Sequence, residues 1–295
     1  MKLGSYFSEA RVQGGSLGLS FELFPPKKAE LLPGLLKAVE ELQRFGPDFF
    51  TCTYGAGGAT RSGTLGLLGT LKQQYQLQIA SHLTCVGSTI EQLRSYLDEA
   101  KAIGVDYIVA LRGDPPKGES QFTQTQGGLR YANELVSMLR SEYPEFGILV
   151  AGYPEVHQEA PSAEVDLENL KRKVDSGADV VVTQLFYNNE DFYRFRDRCE
   201  KAGIRIPIIP GVLPVISLAS IQRIASLCKA ALPQGFVDEL SKSDKDDWQF
   251  DVGTEFATKQ VADLIQSGIS GIHFYVLNSS RATSKVLDSV GWKQS

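Results

Sequence analysis

Eight short runs rich in β-branched and aromatic residues recur along the chain: "LSFELF" from Leu19, "FFTCTYG" from Phe49, "IASHLTC" from Ile79, "YIVALRG" from Tyr107, "ILVAGYP" from Ile148, "VVVTQLFY" from Val180, "IPIIPGVLPV" from Ile206 and "GIHFYVLN" from Gly271. They are nearly continuous in apolar residues, not alternating, which is the pattern of strands buried on both faces of a parallel sheet. Helical patterns separate them. In "STIEQLRSYLDEAKAIG", Ser88 followed by Glu91 fits a capping box, Ile90, Leu93, Leu97 and Ala100 share one face, and Gly104 can close the end. "SAEVDLENLKRKVDSG" and "TEFATKQVADLIQSG" likewise end in glycine, at Gly177 and Gly268. This alternation predicts an α/β fold, a single (β/α)8 TIM barrel over residues 19–295 behind a polar, glycine-rich N-terminal arm at residues 1–18. An open doubly wound sheet is the alternative. The connection between the last two strands is longer than the others and contains "PQGFVDELSKSDKDDWQFDVG", which reads as an exposed inserted loop with a short helix.

Composition narrows the function classes. A net charge of -5 argues against the basic surface that nucleic-acid binding requires. No stretch holds the roughly 18 apolar residues of a membrane span, and the start lacks an apolar leader, so a cytoplasmic protein is expected. Cys52, Cys85, Cys199 and Cys228 form no C-x-x-C pair and read as free thiols. His82, His157 and His273 show no metal-binding spacing, so no metal site is expected.

A barrel enzyme carries its site at the carboxyl ends of its strands. There the sequence places Glu22, Thr53 and Tyr54, His82 and Thr84, Arg112 and Asp114, Tyr153, Glu155 and His157, Gln184, and Tyr275 and Asn278. So many bulky polar groups on one rim point to function, since a purely structural core disfavours unpaired polar atoms. Glu22 is singular because apolar residues flank it in its strand. A carboxylate in water-poor surroundings either finds a partner or has its pKa raised until it keeps a proton, which would make it an acid. "TYGAGGAT" is a poor dinucleotide fingerprint: with Gly55 and Gly57 as the first glycines, Thr60 stands at the third position. In "DLENLKRK", helical spacing lays Asp166, Asn169, Arg172 and Lys173 along one side, where they could meet hydroxyls and phosphates or simply face water.

Together "FELFPPK", "TYGAGG", "HLTC", "ALRGDPP", "GYPEVHQEA", "DLENLKRKVDSGAD", "TQLFY", "IIPGVLP" and "HFYVLN" resemble the motifs of the methylenetetrahydrofolate reductase family, in order from Phe21 to Asn278. The resemblance implies FAD-dependent reduction of 5,10-methylenetetrahydrofolate to 5-methyltetrahydrofolate, with NADH or NADPH as electron donor. The nicotinamide nucleotide and the folate would use one site in turn, in ping-pong fashion, supplying methyl groups for methionine synthesis. Carried over by motif, Glu22 would be the general acid that opens the folate's five-membered ring. Asp114 would lie near the flavin ring, hold the pterin and disfavour build-up of an anionic reduced flavin. The FAD contacts would be Thr53, Tyr54, Ala56, His82, Arg112, Gly113, Asp114, Tyr131, Ala132, Tyr153, His157, Ala160, Asp166, Asn169, Arg172 and Lys173. Substrate contacts would be Glu22, Thr53, Asp114, Gln184 and Tyr275. Members of the family associate as dimers or tetramers, so a homo-oligomer is expected.

The chain departs from the family pattern in two places. Ser279 and Ser280 follow "HFYVLN", with Arg281 only later, where many members have an arginine for the folate's glutamate tail. Ser220 and Ile224 stand where some bacterial members have a glutamine and a phenylalanine that help hold NADH. Tail recognition and the choice of nicotinamide are left open. The end at "VGWKQS" implies a short form without the regulatory domain of longer eukaryotic members. Two other classes stay open at this level: another flavin or folate barrel oxidoreductase with a different donor, and a non-catalytic flavin-binding barrel.

Overall fold

The structure is a computed structural model that describes residues 3–7, 16–54, 61–115 and 122–292, without the side chains of residues 61 and 62. Its strands are β1 (Gly18–Leu23), β2 (Phe49–Cys52), β3 (Ile79–Thr84), β4 (Tyr107–Leu111), β5 (Gly147–Gly152), β6 (Val180–Thr183), β7 (Ile208–Ile209), β8 (Gly211–Val212) and β9 (Gly271–Tyr275). All pair in parallel, in the order β7-β6-β5-β4-β3-β2-β1-β9-β8. The two ends of this order are halves of one segment. Pro210 has no N–H for the ladder and divides the seventh apolar run, so Ile208–Ile209 pairs with β6 while Gly211–Val212 pairs with β9. Nine short strands thus fill the eight places of a barrel, and the open-sheet alternative is discarded.

The helices are α1 (Leu32–Gln43), α2 (Arg61–Tyr75), α3 (Ile90–Ala102), α4 (Ala132–Glu142), α5 (Ala163–Asp175), α6 (Asn189–Lys201), α7 (Leu218–Cys228), α8 (Gln234–Leu240), α9 (Asp246–Gln266) and α10 (Arg281–Ser289). Gly104, Gly177 and Gly268 follow helix ends with positive φ, as their sequence positions predict. The capping box of α3 is shifted by one residue from the expected pair. Thr89 accepts from the Gln92 N–H and the Gln92 side chain bonds back, because Ser88 is still tied by its N–H to the Cys85 carbonyl in the turn leaving β3. The long polar connection is mostly helix, not loop: α8 takes its first part, and "DDWQFDVG" opens the 21-residue α9. Among the described residues no helix is long and apolar enough to cross a membrane.

Strand alternation sorts the residues into two shells. Leu19, Phe21, Leu23, Phe50, Ile108, Ile148, Val181 and Phe274 face outward and form the core beneath the helices. Inside, the amino end of the barrel is apolar, filled by Phe49, Ala80, Tyr107, Val109, Leu149, Val180 and Ile209. A 3-10 turn at Leu3–Phe7 plugs that end, and Phe7, 3% exposed, packs edge-on against Phe49. Its ring fits because Gly18 and Gly271 lack side chains: a Cβ there would stand 2.3 and 2.6 Å from it. The carboxyl half of the interior is polar, with buried Ser20, Glu22, Thr51, Thr84, Thr183 and His273.

Candidate active site

A cavity of about 570 Å³ opens at the carboxyl ends of the strands. Its lining includes Glu22, Thr53, Tyr54, His82, Arg112, Gly113, Asp114, Tyr153, His157, Gln184 and Tyr275, so most of the residues singled out from sequence converge on one space. Tyr131, Ala132, Ala160, Asp166, Asn169, Arg172 and Lys173 stand outside that lining. Ala56 lies outside the described residues, as does the rest of "GAGGAT".

Glu22 sits deep in this cavity, 7% exposed, and has found partners. One carboxylate oxygen lies 3.3 Å from His82 Nε2 and 3.8 Å from His273 Nε2. The far nitrogen of His273, Nδ1, is 2.8 Å from the Ser20 hydroxyl. The arrangement follows from register. Ser20 pairs with His273 and Glu22 with Tyr275, so residues two apart on adjacent strands β1 and β9 point into the same interior. Burial pushes the His82 imidazole below its ordinary pKa, the nearby Glu22 carboxylate works in the opposite direction, and His273 adds to the lowering. His82 is therefore held toward its neutral form. Tyr275 donates its hydroxyl to the Thr183 carbonyl at 2.7 Å, and its ring meets His273 edge-on.

The turn after β4 carries a second group of charges. Gly113 adopts φ +90°, and a Cβ there would fall 2.5 Å from Val86, so only glycine fits between Arg112 and Asp114. Asp114 is exposed at the mouth. Arg112 makes a two-bond pair with Glu159 at 2.6 and 2.7 Å. Beyond it, Tyr153 and His157 stack edge-on with ring centroids 4.6 Å apart.

Helix α5 starts at Ser162, whose hydroxyl accepts from the Val165 N–H. Its polar face divides by depth. Asp166 and Lys173, two turns apart, are half-buried: Asp166 accepts from the His157 N–H at 3.2 Å, and Lys173 donates to the Ala151 carbonyl at 2.5 Å. Burial raises the Asp166 pKa and lowers that of Lys173 to about 8. Asn169 and Arg172 are exposed and bonded to each other. The carboxyl face of α7 brings Ile224, Leu227 and Cys228 to the cavity. Arg281 is elsewhere, over the Phe250 ring and 3.7 Å from Asp247, outside the cavity lining.

Ser20, His273 and Glu159 were not among the expected site residues. The first two carried a signal, since period-two alternation puts Ser20 on the side of Glu22 and His273 on that of Tyr275. Glu159 carried none, because its carboxylate meets Arg112 from a loop 47 positions away.

The sequence model of the family described as Methylenetetrahydrofolate reductase matches residues 8–291. The Escherichia coli (strain K12) protein named 5,10-methylenetetrahydrofolate reductase is 38% identical over 285 residues, covering 96% of this chain and 94% of that protein. The Arabidopsis thaliana "Methylenetetrahydrofolate reductase (NADH) 1" is 36% identical over 288 residues, 94% of this chain but 49% of that protein, so the chain spans about half the length of its plant relatives. Among solved structures, an uncharacterized Clostridium thermocellum protein described as binding two copies of 5-methyl-5,6,7,8-tetrahydrofolic acid superposes with a TM-score of 0.63 at 13% identity, covering 96% of this chain and 97% of that one, a likeness of fold. From its motifs, its barrel and these matches over nearly its whole length, the chain belongs to the methylenetetrahydrofolate reductase family.

Proposed function

We propose that this protein reduces 5,10-methylenetetrahydrofolate to 5-methyltetrahydrofolate, with FAD as cofactor and NADH or NADPH as donor. The observation that carries the reading is Glu22, a carboxyl group at the floor of the cavity with Asp114 at its mouth. The name of the Escherichia coli relative supports the reaction, that of the Arabidopsis relative supports a nicotinamide donor, and the folate bound by the Clostridium protein supports folate as ligand class.

The residues fit FAD. The cavity of about 570 Å³ is of the size that holds a cofactor ring system, with apolar Val109, Leu111, Leu149 and Leu185 among its walls and polar groups at its edges. Thr53, Tyr54, His82, Arg112, Gly113, Tyr153 and His157 would hold the part inside the barrel. Asp166, Asn169, Arg172 and Lys173 on α5, with Tyr131, Ala132 and Ala160, would hold the part reaching out, the two cations offsetting phosphate charge. When bound, FAD supplies two-electron transfer between the nicotinamide nucleotide and the folate. Gln184 and Tyr275 line the same cavity; in this reading the nicotinamide nucleotide and the folate use it in turn, with ping-pong kinetics.

Glu22 gives its proton to the folate so that the five-membered ring opens to an iminium that can be reduced. Behind it stand the His273 ring, its Nε2 3.8 Å from the carboxylate, and the Ser20 hydroxyl, 2.8 Å from His273 Nδ1. Asp114 orients the pterin by accepting hydrogen bonds from it. The product's place as a methyl donor for methionine synthesis, a cytoplasmic location and a homo-oligomeric assembly belong to the same reading.

The test is anaerobic. The purified protein should show a flavin spectrum bleached by NADH or NADPH, and the reduced protein should be reoxidised by methylenetetrahydrofolate. Glu22→Gln should keep the first step and lose the second, because only the folate step needs the proton. A protein that takes up no FAD, or a Glu22→Gln variant with normal folate turnover, overturns the reading.

A further inference from the structure

We propose that Glu159 is a positioning residue of the cofactor site, holding the Arg112 side chain from outside the cavity that Arg112 lines. The proposal rests on the FAD reading above. Arg112 borders the cavity and Glu159 does not. The guanidinium is gripped at several points: its two terminal nitrogens donate to the Glu159 carboxylate at 2.6 and 2.7 Å, Nε donates to the Gly113 carbonyl at 3.1 Å, and the Phe122 ring lies 5.0 Å from its central carbon. Among the described residues these bonds occupy three of its N–H groups, leaving the remaining N–H groups for a ligand in the cavity. An arginine side chain left to itself would lose its rotamer freedom only when the ligand arrived, and the Glu159 pair removes that freedom beforehand.

The pairing also decides between two carboxylates. Asp114, two residues from Arg112, is close enough to act on its charge, yet the bonds of both terminal nitrogens go to Glu159. Asp114 is thereby kept for the ligand at the mouth. The backbone of the same residue serves the neighbouring side chain: the Glu159 N–H donates to His157 Nδ1 at 3.1 Å, so the neutral ring carries its proton on Nε2. The loop that presents Glu159 includes Val156 at φ +72°, a conformation that a β-branched residue adopts only where its surroundings impose it. The Ala160 N–H, bonded to the His157 carbonyl at 2.9 Å, tightens the same turn.

The test uses FAD-free full-length protein and follows quenching of flavin fluorescence on titration with FAD, together with thermal melting. Glu159→Gln keeps size and backbone but loses the charge, and should weaken FAD binding about tenfold. Arg112→Met should weaken it at least as much. On the Arg112→Met background, adding Glu159→Gln should change the dissociation constant less than about twofold, because Glu159 acts through Arg112. Glu159→Asp, which keeps the charge, should recover part of the affinity and serves if Glu159→Gln does not fold. Unchanged FAD affinity in Glu159→Gln with a lowered melting temperature would make the pair a tie between loops and overturn the proposal, as would a full loss repeated on the Arg112→Met background. Wild-type protein that binds no FAD would instead remove the flavin reading itself.

Discussion

Lys173 offers the sharpest test of the electrostatics around the site. Its ammonium group is held under the loop after β5, bonded to the Ala151 carbonyl, with Tyr153 below it and Asp166 on the same helix face. Burial lowers its pKa from the ordinary lysine value of 10.5 to about 8, against the opposing pull of Asp166. The folded pKa is below the unfolded one, so between the two values the unfolded chain binds a proton that the folded chain does not. Stability contributed by this group therefore rises with pH across that window and is constant below it. For those two pKa values the linkage amounts to about 2.5 kcal/mol between pH 7 and pH 10. Lys173→Met removes the titration, and the lost bond to Ala151 enters only as a constant offset. Urea unfolding of FAD-free wild type and variant, taken as a difference at each pH, cancels the tyrosine and cysteine titrations common to both. The wild type should gain about 2.5 kcal/mol on the variant from pH 7 to pH 10. A difference flat to within about 0.5 kcal/mol would show that the group is not buried as described. The same displacement bears on the ligand: an anion bound near Lys173 favours its charged form, so FAD binding at pH 9 should take up protons in the wild type and not in Lys173→Met.

Two further outcomes follow from packing. Phe7→Ala empties the socket between Gly18 and Gly271 at the floor of the barrel and should cost about 3 kcal/mol in urea unfolding, while the flavin spectrum of the loaded protein stays unchanged because the site is at the opposite end. Gly113→Ala forces a side chain into a positive-φ turn, 2.5 Å from Val86, and should cost at least about 2 kcal/mol while also weakening FAD binding, since Arg112 and Asp114 flank it. An alanine variant as stable as wild type would mean that the turn has another conformation.

The barrel was legible because the strand-forming runs are nearly continuous in apolar residues, and helical patterns separate them. Boundaries were less legible where neighbouring residues compete for the same bond. Ser88 and Thr89 are both able to cap α3, and only the chain path out of β3, which ties up Ser88, decides between them. "DDWQFDVG" has the look of a loop because its charges hide a helix that buries Phe250 here and Ala257, Val261 and Leu264 further on. The rim residues were found as a set because polar side chains at the ends of apolar strands stand out against their surroundings.

What sequence alone determined was the strand–helix alternation, the rim and the residues offered there, because these depend on local composition and on period. Tertiary structure decided which of those residues act on one another. Glu22 could have been an isolated buried acid. Instead the register between β1 and β9 puts His273 beside it and Ser20 behind that, contacts that span more than 250 positions. Arg112 could have faced a ligand unaided, and the loop after β5 gives it Glu159. The Asp166, Asn169, Arg172 and Lys173 series could have been one solvated stripe, and the depth at which α5 lies against the barrel draws Asp166 and Lys173 inward while leaving Asn169 and Arg172 in water. Hydrogen bonds and ion pairs act only between groups brought close in space, and these neighbours exist only once the barrel has closed.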